Sequence, residues 1–368
     1  MNKKIRILHI LLTSNFGGIE SLLCDIDKNI DKDKFQLDFI ATGKAEYQKN
    51  ILANGSKIFL IPSEKDFIHY KKSMLDIMNK NYDIIHFNKN SLSNCLPIIW
   101  ANRLKKRPKI IIHSHNTSPS INNVILRELH KINRRLVANI PDYRIACSKL
   151  AAQFMFSSDE VTILKNGIDT KKFKFSNENR NNMRKQLNIS PDTVVFGNVG
   201  RFSQQKKQKK LVYIFNEIQK INPDTKLMLI GEGNLKKNVE DTVQKLKLTN
   251  KVLFLGKKYD VYKYLSAMDA VIIPSLYEGL GISAIEAQCS GLPTFVSDSV
   301  PEEAFVTNYI QSFSLNSEDK KIAKRILNTF QLLSNNERRK QNKVVAKYGY
   351  DIKETTLKLS RIYEDLVN

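Results

Sequence analysis

Residues 275–293 read Ser275-Leu-Tyr-Glu278-Gly-Leu-Gly281-Ile-Ser-Ala-Ile-Glu286-Ala-Gln-Cys-Ser-Gly291-Leu-Pro293 and follow the apolar run Ala270–Pro274. The apolar run predicts a buried strand. Ile282–Ser290 predicts a helix, because a glycine and a proline follow it directly. A strand, a glycine-containing turn and a helix start bring free N–H groups and the positive end of a helix dipole to one place. The stretch therefore predicts a phosphate site.

Two carboxylates flank this turn. Glu278 lies in the turn itself and Glu286 lies inside the predicted helix. Because a carboxylate repels a phosphate, we expect both acids to bind hydroxyl groups instead. A nucleotide sugar offers phosphates and hydroxyl groups on one molecule, so the stretch favours such a ligand, although a strand–glycine–helix unit by itself is common.

The length and composition are those of a soluble protein with two domains. The chain has 368 residues, 42% of them apolar and 26% charged, and about 150 residues per domain is the usual guide. No apolar run approaches the ~20 residues that a membrane span needs. Ile5–Leu12 is short for the apolar region of a signal peptide, so we expect a first core strand there. Four cysteines lie far apart in apolar settings, which indicates buried free thiols in a reducing cytoplasm.

The net charge of +22 favours polyanionic partners, namely nucleic acid, anionic membranes or phosphate-bearing substrates. Segment 101–140 carries nine Lys and Arg residues against one acid, Glu128. Within it, Ile125–Val137 predicts a basic amphipathic helix. Such a helix can lie on an anionic membrane, or it can present a solvated face above an ordinary core stripe. Binding of single-stranded nucleic acid is disfavoured, because the segment contains no Phe, Tyr or Trp on which bases could stack.

Short β-type runs alternate with helical patterns along most of the chain, which predicts parallel sheets with helices on both faces. A polar stretch after Asn166-Gly-Ile-Asp169 interrupts the alternation, which then restarts. We therefore predict an α/β protein of two Rossmann-like parallel-sheet domains that face each other across a ligand-binding cleft. The predicted boundaries are 1–170 for the first domain, 171–190 for a linker, 191–349 for the second domain, and 350–368 for a C-terminal helix that packs back on the first.

Two loops carry residues suited to a diphosphate. Gly17-Gly18 follows the first predicted strand, where glycines let the backbone approach a ligand closely. Gly200-Arg-Phe-Ser-Gln-Gln-Lys206 follows the first strand of the second half. Arg201 would give forked hydrogen bonds and Lys206 a point charge; the alternative is an ordinary basic loop on a very basic protein. The sequence lacks the dinucleotide fingerprint GxGxxG and the Walker A lysine motif, which disfavours a Rossmann dehydrogenase.

His113-Ser-His115-Asn116 ends the fifth predicted strand, so its side chains would emerge at the carboxyl edge of the sheet. By strand alternation we expect only one of the two histidines to face the cleft, where it would contact a substrate hydroxyl or phosphate. A metal site is disfavoured, because no nearby acid or cysteine supplies a third ligand.

These motifs together resemble, over nearly the whole chain, the retaining glycosyltransferases of family 4, which have the GT-B fold. Small departures are a glycine at position 281, where many relatives have proline, and Lys207, where Asn or Gly is common. The HSHN and NGID elements resemble the branch that builds capsular and exopolysaccharide repeat units. The matching elements are Gly17-Gly-Ile-Glu20, His113-Ser-His-Asn116, Ala146-Cys-Ser148, Asn166-Gly-Ile-Asp169, Gly200–Lys206 and Glu278-x7-Glu286.

The resemblance implies catalytic roles for four residues. Arg201 and Lys206 would hold the diphosphate and stabilise the leaving nucleotide. Glu278 would bind the donor sugar, and His115, more than His113, would contact it near the reacting centre. The other donor-binding positions that it implies are Gly17 and Gly18 at the phosphates, Gly200, Gly279, Leu280 and Gly281 through backbone N–H groups, Glu286 at the ribose hydroxyls, and Gly256, Lys257 and Lys258 beside the base.

The resemblance also implies a metal-independent hexosyltransferase that needs no cofactor and takes a nucleotide sugar, in the first place a UDP-sugar, as substrate. Its first domain would bind the acceptor, a glycan carried on a lipid diphosphate in surface polysaccharide synthesis. The protein would then be cytoplasmic and peripheral on the inner face of the cell membrane. Two alternatives stay open: a sugar-nucleotide epimerase of similar fold and, less favoured, a nucleic-acid-binding protein.

Overall fold

The computed structural model describes residues 3–118 and 123–368. The chain forms two compact units. One consists of the chain up to Gly167 together with Ile352–Asn368, and the other of Ile168–Asp351.

The first unit is built on a seven-stranded parallel sheet in the order β3-β2-β1-β4-β5-β6-β7. Its strands are apolar on both sides because separate hydrophobic clusters pack on the two faces. The strands are β1 (Ile5–Thr13), β2 (Phe35–Thr42), β3 (Lys57–Leu60), β4 (Ile84–Lys89), β5 (Lys109–Ser114), β6 (Tyr143–Ala146) and β7 (Thr162–Ile163). The helices between them are α1 (Gly18–Asn29), α2 (Gln48–Ala53), α3 (Phe67–Met78), α4 (Leu96–Asn102), α5 (Val124–Leu136) and α6 (Lys149–Met155).

The second unit repeats this plan with a six-stranded parallel sheet in the order β10-β9-β8-β11-β12-β13. Its strands are β8 (Val194–Val199), β9 (Thr225–Ile230), β10 (Val252–Phe254), β11 (Ala270–Ile273), β12 (Thr294–Ser297) and β13 (Ile310–Phe313). Its helices are α7 (Asn177–Gln186), α8 (Gln208–Ile221), α9 (Lys236–Lys245), α10 (Val261–Ala267), α11 (Ile282–Cys289), α12 (Asp319–Thr329) and α13 (Asn335–Val345).

The two parallel sheets confirm the predicted fold class of two Rossmann-like domains. In each sheet the strand order reverses beside the first strand, between β1 and β4 in one unit and between β8 and β11 in the other. Ligands of open α/β sheets bind in the crevice outside the carboxyl ends of the strands at this reversal. The topology therefore predicts ligand-binding residues in the loops after β1, β4, β8 and β11.

The C-terminal helix α14 (Ile352–Val367) belongs to the first unit, where it packs on α1 and β1. Its buried hydrophobic residues in that core are Ile352, Leu359, Ile362 and Tyr363. A short π-helical segment, Ala346–Tyr350, precedes it and contains Gly349 at φ +83°, a left-handed backbone conformation that glycine adopts without strain.

Segment 171–190, predicted as a polar linker, contains α7 and belongs to the second unit. Two of its arginines form an ion-pair network with Asp269. The carboxylate of Asp269 accepts hydrogen bonds from Arg184 Nη2 at 2.5 Å, Arg180 Nη2 at 2.7 Å and the Val195 amide at 2.8 Å. Because both arginines lie on α7, the network fastens this helix to the start of β8.

Within the two ranges that the structure describes, we find no helix long and apolar enough to cross a membrane.

Candidate functional site

The loops after β8 and β11 meet at the strand-order reversal of the second sheet. The carbonyl oxygen of Gln205 accepts from the Leu276 amide at 2.7 Å, and Gln205 Nε2 donates to the Tyr277 carbonyl at 3.0 Å. These bonds hold the Gly200–Lys206 loop against the Ser275–Gly281 turn. Two elements identified separately in the sequence thus form one structural feature.

The junction brings together two of the predicted catalytic side chains. Lys206 Nζ lies 2.6 Å from Glu278 Oε1, and their side chains are 19% and 8% exposed. A shielded pair of this kind is attracted more strongly than a surface pair. The lysine stem passes close to Gly200, where an added Cβ would make an ordinary van der Waals contact with Lys206 Cδ at 3.4 Å. The ammonium is thereby held at the carboxyl ends of β8 and β11.

Arg201, on the same loop, is exposed. Burial, followed by the Glu278 charge, raises the pKa of the Tyr277 phenol, and the positive charge of Arg201 opposes that rise. We use the name cationic junction for the Lys206–Glu278 pair together with the exposed Arg201, which lies on the same loop as the lysine.

The turn after β11 continues into α11. Gly281 is the residue that precedes the helix and has φ +86°, a conformation that L side chains rarely adopt. Leu280 is 2% exposed and packs in the core, so only its backbone can serve a ligand. Glu286 lies one turn into α11 and is partly exposed. Burial, and then the charge of Glu286 three residues earlier on the helix, raises the pKa of the Cys289 thiol.

Two glycines whose role the sequence did not reveal let the neighbouring loops pack closely. A Cβ on Gly231 would lie 2.1 Å from the Gly200 carbonyl oxygen, and one on Gly233 would lie 2.3 Å from the Phe202 carbonyl oxygen. The Gly-Glu-Gly sequence after β9 lacks the third glycine of a dinucleotide fingerprint, so its pattern predicts no ligand site. In the structure its two glycines leave room for the backbone of the Arg201 loop. The only available signal was a pair of glycines directly after a strand.

The residues predicted beside the base follow β10. Gly256 has φ +68°, and its carbonyl accepts from the Gly231 amide at 2.9 Å. Lys257 Nζ lies 5.0 Å from the ring centre of Tyr259, and Lys258 Nζ lies 5.7 Å from that of Tyr264. Both lysines thus have cation–π partners.

In the first unit, Gly17 precedes α1 and Gly18 begins it, after a short loop that follows the end of β1 at Thr13. Glu20 holds this turn: its carboxylate accepts from the Gly17 amide at 3.0 Å and from Thr13 Oγ1 at 2.7 Å. Glu20, which the sequence assigned only to a motif, thus fixes the glycine turn against the end of β1.

His113 and His115 lie on the same side of the sheet, with ring centroids 3.9 Å apart. The expectation that alternation would turn only one of them toward a ligand was wrong, because residues two apart in a strand point to the same face. His115 is 8% exposed and His113 1%. Burial lowers the pKa of His115 to about 3, so its ring is neutral at pH 7.

A column of four buried histidines runs through this sheet. The ring centroids of His9 and His86 are 4.7 Å apart, those of His86 and His113 are 5.4 Å apart, and His115 follows. Burial lowers the pKa of all four, to about 3 for His9 and well below the ordinary value for His86 and His113. Among the residues with described positions, no cluster of three or more His, Cys, Asp or Glu side chains is arranged to hold a metal ion.

The histidine column predicts an acid-sensitive first unit. A group whose folded-state pKa lies below its unfolded value of 6.5 stabilises the fold above pH 6.5, and this stability is lost as the pH falls from 6.5 toward 3. The loss is about 1.4 kcal/mol per pH unit for each such histidine. Urea unfolding at pH 7.5 and 5.5, followed by the fluorescence of the one tryptophan, Trp100 in α4, measures it.

His86→Leu is expected to reduce this pH dependence, and replacement of the exposed His69 by Asn serves as the control. Equal unfolding free energies at the two pH values would show that the column does not titrate in this way.

Two family models match the chain. "Glycosyltransferase Family 4" matches residues 16–172, and "Glycosyl transferases group 1" matches residues 179–350. The chain is 29% identical to EpsF of Bacillus subtilis, named as a glycosyltransferase, over 81% of this chain and 80% of that protein. It is 25% identical, over 100% and 98% of the two chains, to the UDP-Gal:alpha-D-GlcNAc-diphosphoundecaprenol alpha-1,3-galactosyltransferase of Escherichia coli.

Solved structures show the same fold. HepE of Anabaena, in complex with UDP and glucose, superposes with a TM-score of 0.81 at 18% identity, over 98% of this chain and all of that one. Sucrose-phosphate synthase of Thermosynechococcus elongatus gives a TM-score of 0.77 at 18% identity, over 99% of both chains. The two family models, which together span residues 16–350, and the two Rossmann-like sheets lead to one conclusion: the chain belongs to the glycosyltransferases of family 4 type, with the GT-B fold.

Proposed function

We propose that the protein transfers a hexose from a UDP-sugar to a glycan acceptor, with retention of configuration at the anomeric carbon. The observation that carries this proposal is the cationic junction at the carboxyl ends of β8 and β11, where Lys206 Nζ lies 2.6 Å from Glu278. HepE, which shares the fold, was solved with UDP and glucose, and the E. coli relative is named for a UDP-galactose donor.

Donor binding would exchange the partners within the cationic junction. The diphosphate competes with Glu278 for the Lys206 ammonium, and Arg201 adds a forked donor from the same loop. Glu278, released from the lysine, accepts hydrogen bonds from hydroxyl groups of the donor sugar. Glu286 accepts from the ribose hydroxyls, and Lys257 and Lys258 lie beside the base. Each partner thereby keeps a complementary charge or hydrogen bond, and no metal ion is required to neutralise the diphosphate.

The chemical step is a front-face displacement. The bond from the anomeric carbon to the diphosphate oxygen breaks, a bond to the acceptor oxygen forms on the same face, and the acceptor's proton passes to the departing diphosphate. Negative charge grows on that diphosphate in the transition state. Positioned cations at such a site stabilise the transition state more than the ground state, which is how Arg201 and Lys206 would accelerate transfer.

A thermal-shift series with UDP-glucose, UDP-galactose, GDP-mannose and ADP-glucose tests the donor class, because a ligand of the folded state raises Tm. We expect the UDP-sugars to give the largest shifts. Proton NMR of the product then tests retention, since an axial donor bond should give an axial product bond. A preference for GDP or ADP would contradict the donor assignment, and UDP release without sugar on any acceptor would favour an epimerase.

We further propose that the acceptor is a lipid-linked glycan of surface polysaccharide synthesis and that α5 holds the protein on the anionic membrane that contains it. The E. coli relative is named for an acceptor on diphosphoundecaprenol. An ordinary surface helix buries an apolar face, whereas α5 buries a histidine and exposes its large apolar side chains. Its one fully buried residue, His130, stacks on Phe154 with ring centroids 4.1 Å apart and accepts from the Leu92 amide at 3.0 Å.

The outer face of α5 carries large apolar side chains. Ile125 is 71% exposed, Ile132 62% and Leu136 59%. Arg127, Lys131, Arg134 and Arg135 accompany them on the same helix. The core-stripe alternative requires these apolar residues to be buried, which they are not. An apolar face with basic neighbours is complementary to an anionic lipid surface.

Replacing Ile125 and Ile132 with serine is expected to abolish flotation with vesicles rich in phosphatidylglycerol at low salt, because the helix loses its apolar anchors. Ile68→Ser on α3, where the isoleucine is 77% exposed, is the matched control and should float as the wild type does. Equal flotation of all three proteins, or of wild type with neutral phosphatidylcholine, would contradict the role of α5.

A further inference from the structure

The second unit carries a cavity that no step of the proposed transfer reaction uses. Its volume is about 630 Å³, within the range of small-molecule sites. It lies where the segment before α7, the start of α10 and the first half of α13 meet. Four cations and one acid line it together with the ring of Tyr262, and we call it the basic pocket. The cations are Lys171, Lys172, Lys174 and Arg339, and the acid is Glu178.

Hydrogen bonds and a buried ring hold the walls of the basic pocket in place. The Ser176 amide donates to Ser266 Oγ at 3.3 Å, and Asn335 Nδ2 donates to Asn177 Oδ1 at 3.1 Å. The ring of Phe175, which is 2% exposed, is part of the lining. Because these contacts join the segment before α7 to α10 and α13, the pocket is formed without a ligand.

The four cations of the basic pocket are unpaired within residues 3–118 and 123–368, since none of them makes an ion pair with a carboxylate there. Another lysine of the same unit, Lys210, does so with Asp319 at 2.8 Å. Lys172 lies instead near the ring of Tyr262, with Nζ 5.4 Å from the ring centre. Like charges around a concave surface concentrate their field in the cavity, so the basic pocket attracts anions.

Buried charge behind the basic pocket has the same sign. The guanidinium carbon of Arg338 lies 4.0 Å from the centre of the Phe175 ring, and the arginine is 4% exposed. Arg180 and Arg184 both pair with Asp269, whose carboxylate also acts on Arg338. Three guanidinium groups thus share this carboxylate. Their excess positive charge is buried, so salt screens it less than it screens surface charge.

The charge of the basic pocket selects for a phosphate group. A metal cation would be repelled, and a neutral sugar would leave the four cations without a partner. A phosphate ester carries roughly −1.5 to −2 charges at pH 7 and several strong acceptor oxygens. Ammonium and guanidinium groups form strong, charge-assisted hydrogen bonds with such an anion. The cavity of about 630 Å³ also has room for the group to which the phosphate is attached.

We propose that the basic pocket binds a phosphate-bearing ligand at a site separate from the cationic junction. The two sites share no residue, and neither the pocket nor its charge depends on the proposed transfer of sugar. The phosphate can belong to a soluble phosphate ester or to the headgroup of a lipid, because both present the same anion. The residues that bind it are Lys171, Lys172, Lys174 and Arg339.

Fluorine-19 NMR of protein labelled with 3-fluorotyrosine tests the two sites separately. The chain has 13 tyrosines, and Tyr→Phe variants assign two of the signals. Tyr262 reports on the basic pocket, and Tyr277, next to Glu278 in the chain, reports on the cationic junction. The probes are pyrophosphate, glucose 1-phosphate and dihexanoyl-phosphatidylglycerol below its micelle concentration, and sodium chloride at equal ionic strength is the blank.

We expect the Tyr262 signal to shift saturably with a phosphate probe, and the tighter of the ester and the lipid identifies the source of the phosphate. Replacing Lys172 and Arg339 together with glutamine should weaken this binding about tenfold or more, because two charged donors are lost. Lys324→Gln with Arg325→Gln removes the same charge from exposed positions of α12. This matched control should bind as the wild type does.

A Tyr262 signal that moves no further with the phosphate probes than with chloride would overturn the proposal. Equal weakening in the two double variants would also overturn it, because it would indicate a general attraction of anions to a basic protein. A Tyr277 shift without a Tyr262 shift would place phosphate at the cationic junction alone, with the same consequence. With pyrophosphate, a Tyr262 shift without a Tyr277 shift would support the basic pocket and count against the proposed donor site, so the two failures are distinguishable.

Discussion

Replacing Lys206 with alanine is expected to lower kcat by about 100- to 1000-fold while the fold stays intact. Lys206 Nζ is held 2.6 Å from Glu278 at the carboxyl ends of β8 and β11, where the leaving diphosphate would gain charge. Removing one oriented charge or donor from such a site typically costs two to three orders of magnitude in rate, roughly 3–4 kcal/mol. Arg201→Ala should have a loss of the same order. Steady-state assays with UDP-glucose or UDP-galactose measure both.

Lys210→Ala is the matched control for Lys206→Ala. Lys210 lies four residues further along the chain, on α8, and its ammonium pairs with Asp319 on α12 at 2.8 Å, so turnover should stay at the wild-type level. An interaction made only in the transition state lowers kcat and kcat/KM together, whereas lost ground-state binding raises KM alone. Wild-type turnover in Lys206→Ala or Arg201→Ala would remove that residue from the mechanism.

Asp269→Ala is expected to destabilise the second unit by about 3–5 kcal/mol, because it leaves buried arginines without their counter-charge. Asp269 is 3% exposed, and its carboxylate accepts from Arg184, Arg180 and the Val195 amide. Burial lowers the pKa of Arg338 to about 9, with the positive charge of Arg180 adding to this and the Asp269 carboxylate opposing it. Loss of the carboxylate therefore affects at least three guanidinium groups.

Urea unfolding followed by far-UV circular dichroism measures this loss. Asp260→Ala, which removes a surface partner of Lys263 at 3.2 Å, should leave the unfolding curve unchanged, because exposed pairs contribute little. A comparable stability of Asp269→Ala and wild type would show that the Asp269 network does not hold α7 on the sheet.

The sequence was sufficient to predict the two sheets, because buried parallel strands are apolar throughout and alternate with helical periodicity. The glycines also predicted the turn between β11 and α11, with Glu278 in that turn and Glu286 in the helix. The pairing of Lys206 with Glu278, by contrast, depends on β8 and β11 being neighbours, which no local pattern encodes. The sequence could suggest both loops but not their contact.

Two other features could not be predicted, for different physical reasons. Segment 171–190 has the composition of a linker, because α7 is held on the second unit by arginines. The burial of these arginines depends on Asp269, which lies about 85 residues further along the chain. The histidine column depends on strand register, which sets His9 beside His86 and Asn88 beside His113. Read along the chain, His9 and His86 are single polar residues within apolar runs.

The most direct test of the account is a crystal structure of the protein with UDP. We expect the diphosphate to lie within hydrogen-bonding distance of Lys206 Nζ and the Arg201 guanidinium, with the ribose hydroxyls at Glu286. A diphosphate bound elsewhere, with Lys206 still paired to Glu278, would contradict the proposed donor site.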